Sequence, residues 1–198
     1  MILKRTSTFT CLSLLTAAVI GLATFSFSTA EATSVGGLKP ADAAATKSLK
    51  PGLAVSYIGA FVREVDQCEE YGGWKPGPPL KALDWNVGEG TVLTATAENG
   101  VCAKITGFMN FPKAGDYILT IQSNDGVRLL LSDELIIEDP DVHPDRFSEY
   151  VTVKITKAGW YPLHMLYFER KNTSTLELYW QPPGAKDFVL VPGSAFGH

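Results

Sequence analysis

From residue 101 to residue 180, apolar side chains recur at every second position, in runs too short for a helical stripe. In VCAKITGFMNF (101–111) one face carries Val101, Ala103, Ile105, Met109 and Phe111, interrupted at Gly107. Lys104, Thr106 and Asn110 fall on the other face. The pattern repeats in Tyr117, Leu119 and Ile121, then Val127, Leu129 and Leu131, then Val151, Val153 and Ile155. Tyr161, Leu163, Met165 and Tyr167 follow, and Leu176, Leu178 and Trp180 close the series. A period of two sends successive side chains to opposite sides of an extended chain, which marks a half-buried strand. Between the runs stand Lys113-Ala114-Gly115-Asp116, Ser132-Asp133-Glu134, Lys157-Ala158-Gly159 and Pro182-Pro183-Gly184, all with turn chemistry. Many short strands joined by tight turns predict an all-β protein, an antiparallel sandwich or barrel.

The N-terminal part reads differently. Lys4 and Arg5 precede an apolar stretch from Cys11 to Phe27, which ends at Ser28-Thr29-Ala30. That is the layout of a cleavable signal peptide, residues 1–30, cut after Ala30. The alternative, an uncleaved anchor, asks for a longer and less polar-spotted stretch, about 20 residues. The mature chain is then exported, periplasmic or secreted, with no transmembrane span. Residues 31–50, rich in Ala, Thr, Ser and Gly and without an aromatic, predict a flexible tether, with a short helix around Pro40 to Lys47 as the alternative. The sandwich domain occupies residues 51–198.

Loss of residues 1–30 removes two cations and no acid, moving the formal charge from −4 to −6. A mildly acidic domain offers nothing to a phosphate backbone, so nucleic acid is not an expected partner. Export also leaves Cys68 and Cys102 as an even pair in an oxidising compartment, which reads as a disulfide, two free thiols being the alternative. The bridge would pin an irregular excursion over residues 62–90, with its Tyr71-Gly72-Gly73-Trp74 and its prolines Pro76, Pro78 and Pro79.

The stretch SNDGVRLLLSDE (123–134) sets Asn124, Asp125 and Gly126 ahead of an alternating run. Side-chain oxygens beside a glycine suit either a plain β-turn or one end of a cation site. Arg128 follows, on the outward face of its strand. Glu169-Arg170-Lys171-Asn172-Thr173-Ser174 is a second connection with oxygen donors, Glu169 and Asn172 first among them. Glu138-Asp139-Pro140-Asp141-Val142-His143-Pro144-Asp145 groups carboxylates with an imidazole, either as a metal cluster or as a stiff acidic loop beside a ligand surface.

Three stretches together resemble the protective-antigen-type (PA-14) domain family: GLAVSYI at the start, GFMNFPKAGDYILTIQSNDGVRLLLSDELIIED in the middle, and VTVKITKAGWYPLHMLYFERKNTSTLELYWQPPG at the end. The resemblance implies a secreted β-sandwich that binds a glycan and catalyses nothing. It also implies a calcium ion held by two consecutive aspartates across a cis peptide, the ion holding two sugar hydroxyls in turn. Those positions fall on Asn124 and Asp125 here, so one of the two aspartates is an asparagine. Gly126, Arg128, Glu169 and Asn172 complete the implied ligand-binding set. An interaction or assembly domain with a protein partner, of the same fold and without a sugar site, is the alternative. No nucleophile elbow, zinc-protease motif or phosphate loop occurs, so an enzyme is not expected.

Overall fold

The computed structural model describes residues 33–198, and the signal-peptide reading of 1–30 lies outside them. The described chain opens with β1 (Thr33–Val35), a single helical turn α1 (Ala43–Thr46) and β2 (Leu53–Gly59). β3 (Lys75–Leu80) and β4 (Asp84–Val87) follow, then the long strands β5 (Val101–Phe111) and β6 (Gly115–Asn124). β7 (Val127–Leu131), β8 (Glu134–Asp139), β9 (Arg146–Phe147) and β10 (Val151–Ile155) come next. β11 (Gly159–Glu169), β12 (Ser174–Gln181), β13 (Val189–Leu190) and β14 (Phe196–Gly197) complete the chain.

These strands form two seven-stranded sheets. Sheet one runs β1-β10-β6-β12-β13, with β4 on β12 and β9 on β6. Sheet two runs β3-β2-β5-β11-β7-β8, with β14 on β5. The antiparallel sandwich expected from the alternation is what forms. The inward positions of β5, β6, β7, β10, β11 and β12 are buried in one core between the sheets. Rings crowd one end of it: Phe111 meets Tyr117 edge-on at 4.8 Å and Tyr161 at 5.4 Å. Each tyrosine hydroxyl donates to a turn carbonyl four residues earlier, Lys113 or Lys157, so the polar tips are satisfied at the core's edge. Gly107 interrupts β5 for a steric reason: at φ +155° its missing Cβ would fall 2.6 Å from Gly197 O and 2.8 Å from a Leu53 methyl.

Two stretches differ from expectation. Residues 33–50 do not hang as a tether. β1 pairs in parallel with β10, Leu38 enters the core, and Lys50 exchanges backbone hydrogen bonds with His198. Their composition gave no sign of this, because most of the contact is made by backbone. The short helix of the alternative reading is present, over Ala43–Thr46. The excursion 62–90 is only partly irregular: KPGPPL forms β3, which pairs with β2 alone at the rim of sheet two. Prolines are tolerated there because an edge strand need not donate on its open side.

Cys68 and Cys102 are bonded, 34 positions apart in sequence and 5.9 Å apart between Cα atoms. Cys102, Leu166 and Phe168 face outward from sheet two, and Ala60, Val62, Val65 and Cys68 of the excursion cover them as a second, smaller core. Among the described residues no helix is long and apolar enough to cross a membrane.

Reduction of this bond releases a long loop in the unfolded state and is expected to lower the unfolding free energy by about 3–4 kcal/mol. Urea unfolding with and without reductant measures it, and coincident midpoints would contradict it.

Candidate functional site

The chain crosses between the sheets twice at one end of the sandwich. Asp125 and Gly126 carry it from β6 in sheet one to β7 in sheet two, and residues 170–173 carry it back from β11 to β12. The two crossings are bonded to one another. Asp125 N–H donates to Phe168 O at 3.1 Å, Phe168 N–H donates to Gly126 O at 3.0 Å, and Tyr167 Oη donates to Asn124 O at 2.6 Å. Gly126 is required by this closeness: a Cβ there would fall under 3.0 Å from both Pro140 O and the Phe168 ring. The Asn124–Asp125 peptide is cis, as the resemblance implied.

The Asp125 carboxylate joins three loops. One oxygen accepts the His143 backbone N–H at 3.1 Å and the other the Arg170 backbone N–H at 2.7 Å. The side chain is thereby turned into the corner, at 3% exposure, with one amide on each oxygen. Asn124 Nδ2 donates to Thr173 Oγ1 at 2.9 Å, which leaves Oδ1 as its acceptor. Asn172 adopts φ +79°, a left-handed conformation that asparagine tolerates, and is pinned by its N–H to Asn99 Oδ1 at 2.7 Å. A cleft of about 370 Å³ opens where these loops meet, lined by Asn124, Asp125, His143, Arg170, Asn172 and Thr173 among others.

Glu169 lies behind this lining. It is fully buried, and neither carboxylate oxygen has a hydrogen-bond partner. Burial first and the charge of Asp125 second push its carboxyl up to about 7, against the nearby Gly100 amide. Burial likewise pushes the Asp125 carboxyl above its ordinary value, opposed by the Arg170 and His143 amides.

Of the residues singled out in the sequence, Asn124, Asp125 and Asn172 converge on the cleft. Gly126 shapes the corner and Glu169 sits behind it. Arg128 stands elsewhere. It points outward from sheet two and bonds Glu138 at 2.8 Å and Asp66, with Glu69 at 3.8 Å, so it ties the excursion down instead of facing a ligand. Two acids of the acidic loop are also spoken for: Asp139 accepts Arg146 Nε and Nη2 on its two oxygens, and Glu138 takes Arg128. His143 Nδ1 donates to Pro144 O at 2.8 Å, and its Nε2, 3.3 Å from Asp139 Oδ2, is not aligned for a hydrogen bond. Among the described residues no three His, Cys, Asp or Glu side chains converge on a metal position. The sequence reading missed Arg170 and Thr173. Their only sequence signal is adjacency to Glu169 and Asn172.

A family model described as the PA14 domain matches residues 84–193, more than half of the chain. The chain belongs to the PA14 family. A search of curated proteins finds no match. Among the solved structures that resemble this PA14 domain are the following three. An anti-sigma factor domain-containing protein aligns at TM-score 0.62 and 18% identity over 74% of this chain, which spans only 47% of that protein. A PA14 sugar-binding domain from an RTX adhesin aligns at 0.59 and 15%, covering 75% of this chain and 98% of its own. The A domain of epithelial adhesin 9 from Candida glabrata, solved with Galb1-4GlcNAc, aligns at 0.60 and 12%, covering 83% and 95%. At such identities the likeness is one of fold. This PA14 domain shares with them the two-sheet frame.

Two outcomes follow from the corner's packing. Gly126→Ala is expected to destabilise the domain by about 1–3 kcal/mol through forced backbone movement, read by urea unfolding. Glu169 holds its proton more tightly folded than unfolded, since its folded value of about 7 lies above the ordinary 4.5. Its contribution to stability is therefore fully present below about pH 4.5 and lost as pH rises through about 7. Melting in chelator-containing buffers across that window should show Tm falling with pH, and Glu169→Gln should flatten the slope. Parallel pH profiles for the two proteins would contradict this.

Proposed function

We propose that this PA14 domain is an exported, non-catalytic module that binds a glycan in the loop cleft, with calcium as a bridging ion. The observation that carries the reading is the convergence of two sheet-crossing loops and the 140–145 loop on the Asp125 carboxylate, which builds a rigid, oxygen-lined cleft at the end of the sandwich. Pre-organised polar groups in a concave setting are what recognition of a hydroxyl-rich ligand requires.

The residues present fit a hard divalent cation by donor chemistry. Asn124, Asp125 and Asn172 offer oxygens only, the kind that calcium prefers. Behind them Glu169 is a buried acid whose oxygens have no partner, and a nearby cation would stabilise its charged form. Asn124 and Asp125 would hold the ion, and Asn172 and Thr173 would contact the sugar. Arg170 and Lys171, also on the lining, would orient its hydroxyls. A calcium ion bound there would supply a Lewis-acidic contact for sugar hydroxyls.

One observation favours a second reading, a protein-assembly domain without a sugar site: each Asp125 oxygen already accepts an amide.

A glycan array run with calcium and then with chelator separates the two. Signals that vanish on chelation and in Asp125→Ala are expected. Silence across the array with calcium present overturns the proposal in favour of the assembly role.

A further inference from the structure

The outer faces of the two sheets are unlike. Sheet two is covered by the disulfide-bonded excursion and the Arg128 cluster. Sheet one leaves rings in solvent. Phe147 is 50% exposed and Tyr150 is 53% exposed, with Leu190 at 38% beside them. Phe147 meets Tyr179 edge-on, centroids 5.5 Å apart, and Tyr150 stacks on Phe188 at 5.1 Å and 23°. Exposed aromatic clusters of this kind mark a surface that meets something.

Register places polar groups among the rings. Phe147 lies across from Gln122, Gln122 across from Glu177, and Tyr179 follows Glu177 on the same face. Glu177 is held in position through one oxygen. Its Oε2 accepts Asn86 Nδ2 at 3.3 Å and the Tyr179 hydroxyl at 3.2 Å. Its Oε1 makes no hydrogen bond, so it is an oriented acceptor on a residue that is 8% exposed. Flat apolar rings beside fixed acceptors and a free amide complement a pyranose, whose C–H face is apolar and whose rim of hydroxyls donates. An apolar protein interface would gain nothing from a desolvated, unpaired carboxylate at its centre. The row is also continuous with the cleft: Gln122 and Asn124 sit two residues apart on β6, about 7 Å.

We infer that the outer face of sheet one, centred on Phe147, Tyr179, Gln122 and Glu177, is a second carbohydrate-binding platform that takes pyranose residues of an extended polysaccharide without calcium. It stands whether or not the cleft binds an ion.

Affinity gel electrophoresis with chelator present, on xylan, hydroxyethyl cellulose and galactomannan, tests it. Retardation by at least one polymer is expected. Phe147→Ala and Tyr179→Ala should each weaken it about tenfold, and Glu177→Gln should weaken it less. The rings are at the surface, so melting temperatures within a few degrees of the parent are expected and serve as the folding control. Absence of retardation on all three polymers overturns the inference, as does retardation that survives loss of both rings. Sedimentation showing a dimer that Phe147→Ser dissolves would reassign the face to self-association and also overturn it.

Discussion

One carboxylate organises the cleft end of this sandwich. Asp125 is placed between two chain crossings and a proline-stiffened loop, and its two oxygens each accept an amide from a different one of them. Three loops that would otherwise close independently are thereby referred to a single group. A charge-assisted hydrogen bond to a backbone N–H is among the stronger interactions a protein makes, and it costs no side-chain ordering on the donor's part. Burial opposes it, since a carboxylate at 3% exposure has given up most of its water. The amides replace part of that water, and the carboxyl still sits above its ordinary value.

The sandwich around the corner supplies the rigidity. Tyr167 spans from sheet two to the last carbonyl of β6, and the crossings share backbone hydrogen bonds, so the corner is as fixed as the ladders that enter it. At the opposite end Phe111, Tyr117, Tyr161 and Trp180 fill the space between the sheets. The excursion pinned by Cys68 and Cys102 then covers one outer face and leaves the other open. The two exteriors thus have different work available to them: one is interior to a small second core, the other presents rings and acceptors to solvent.

Much of this was legible in the chain. β5, β6, β7, β10, β11 and β12 follow from alternation, and the positions named as inward are buried. Asn124, Asp125 and Asn172 were found because oxygen-bearing residues beside turn chemistry are visible in a string. The rest was hidden for physical reasons. Residues 33–50 join the fold through backbone pairing, which composition does not record. His143 and Arg170 serve Asp125 through their amides, which every residue other than proline carries. Arg128 lies three residues from Asp125, yet it is on an outward position of the other sheet, where acids of the excursion reach it. Phe147, Tyr150 and Phe188 follow no period, so their clustering exists only once sheet one is assembled.

Asparagine at 124 changes the chemistry of the corner in two ways that pull against each other. It removes a negative charge that an aspartate would offer a cation, and calcium affinity falls with ligand charge. It adds a donor that an aspartate lacks, and that donor goes to Thr173, tying the 170–173 loop to the end of β6. The loop gains order at the expense of electrostatic pull. Glu169 bears on that exchange, because its buried and unpartnered carboxyl keeps a second acid behind the cleft, one that a positive charge nearby would ionise. Compared with a pair of aspartates the corner does not simply carry one charge fewer: a loop contact takes the place of the second acid, and the acidity is divided between Asp125 at the lining and Glu169 behind it.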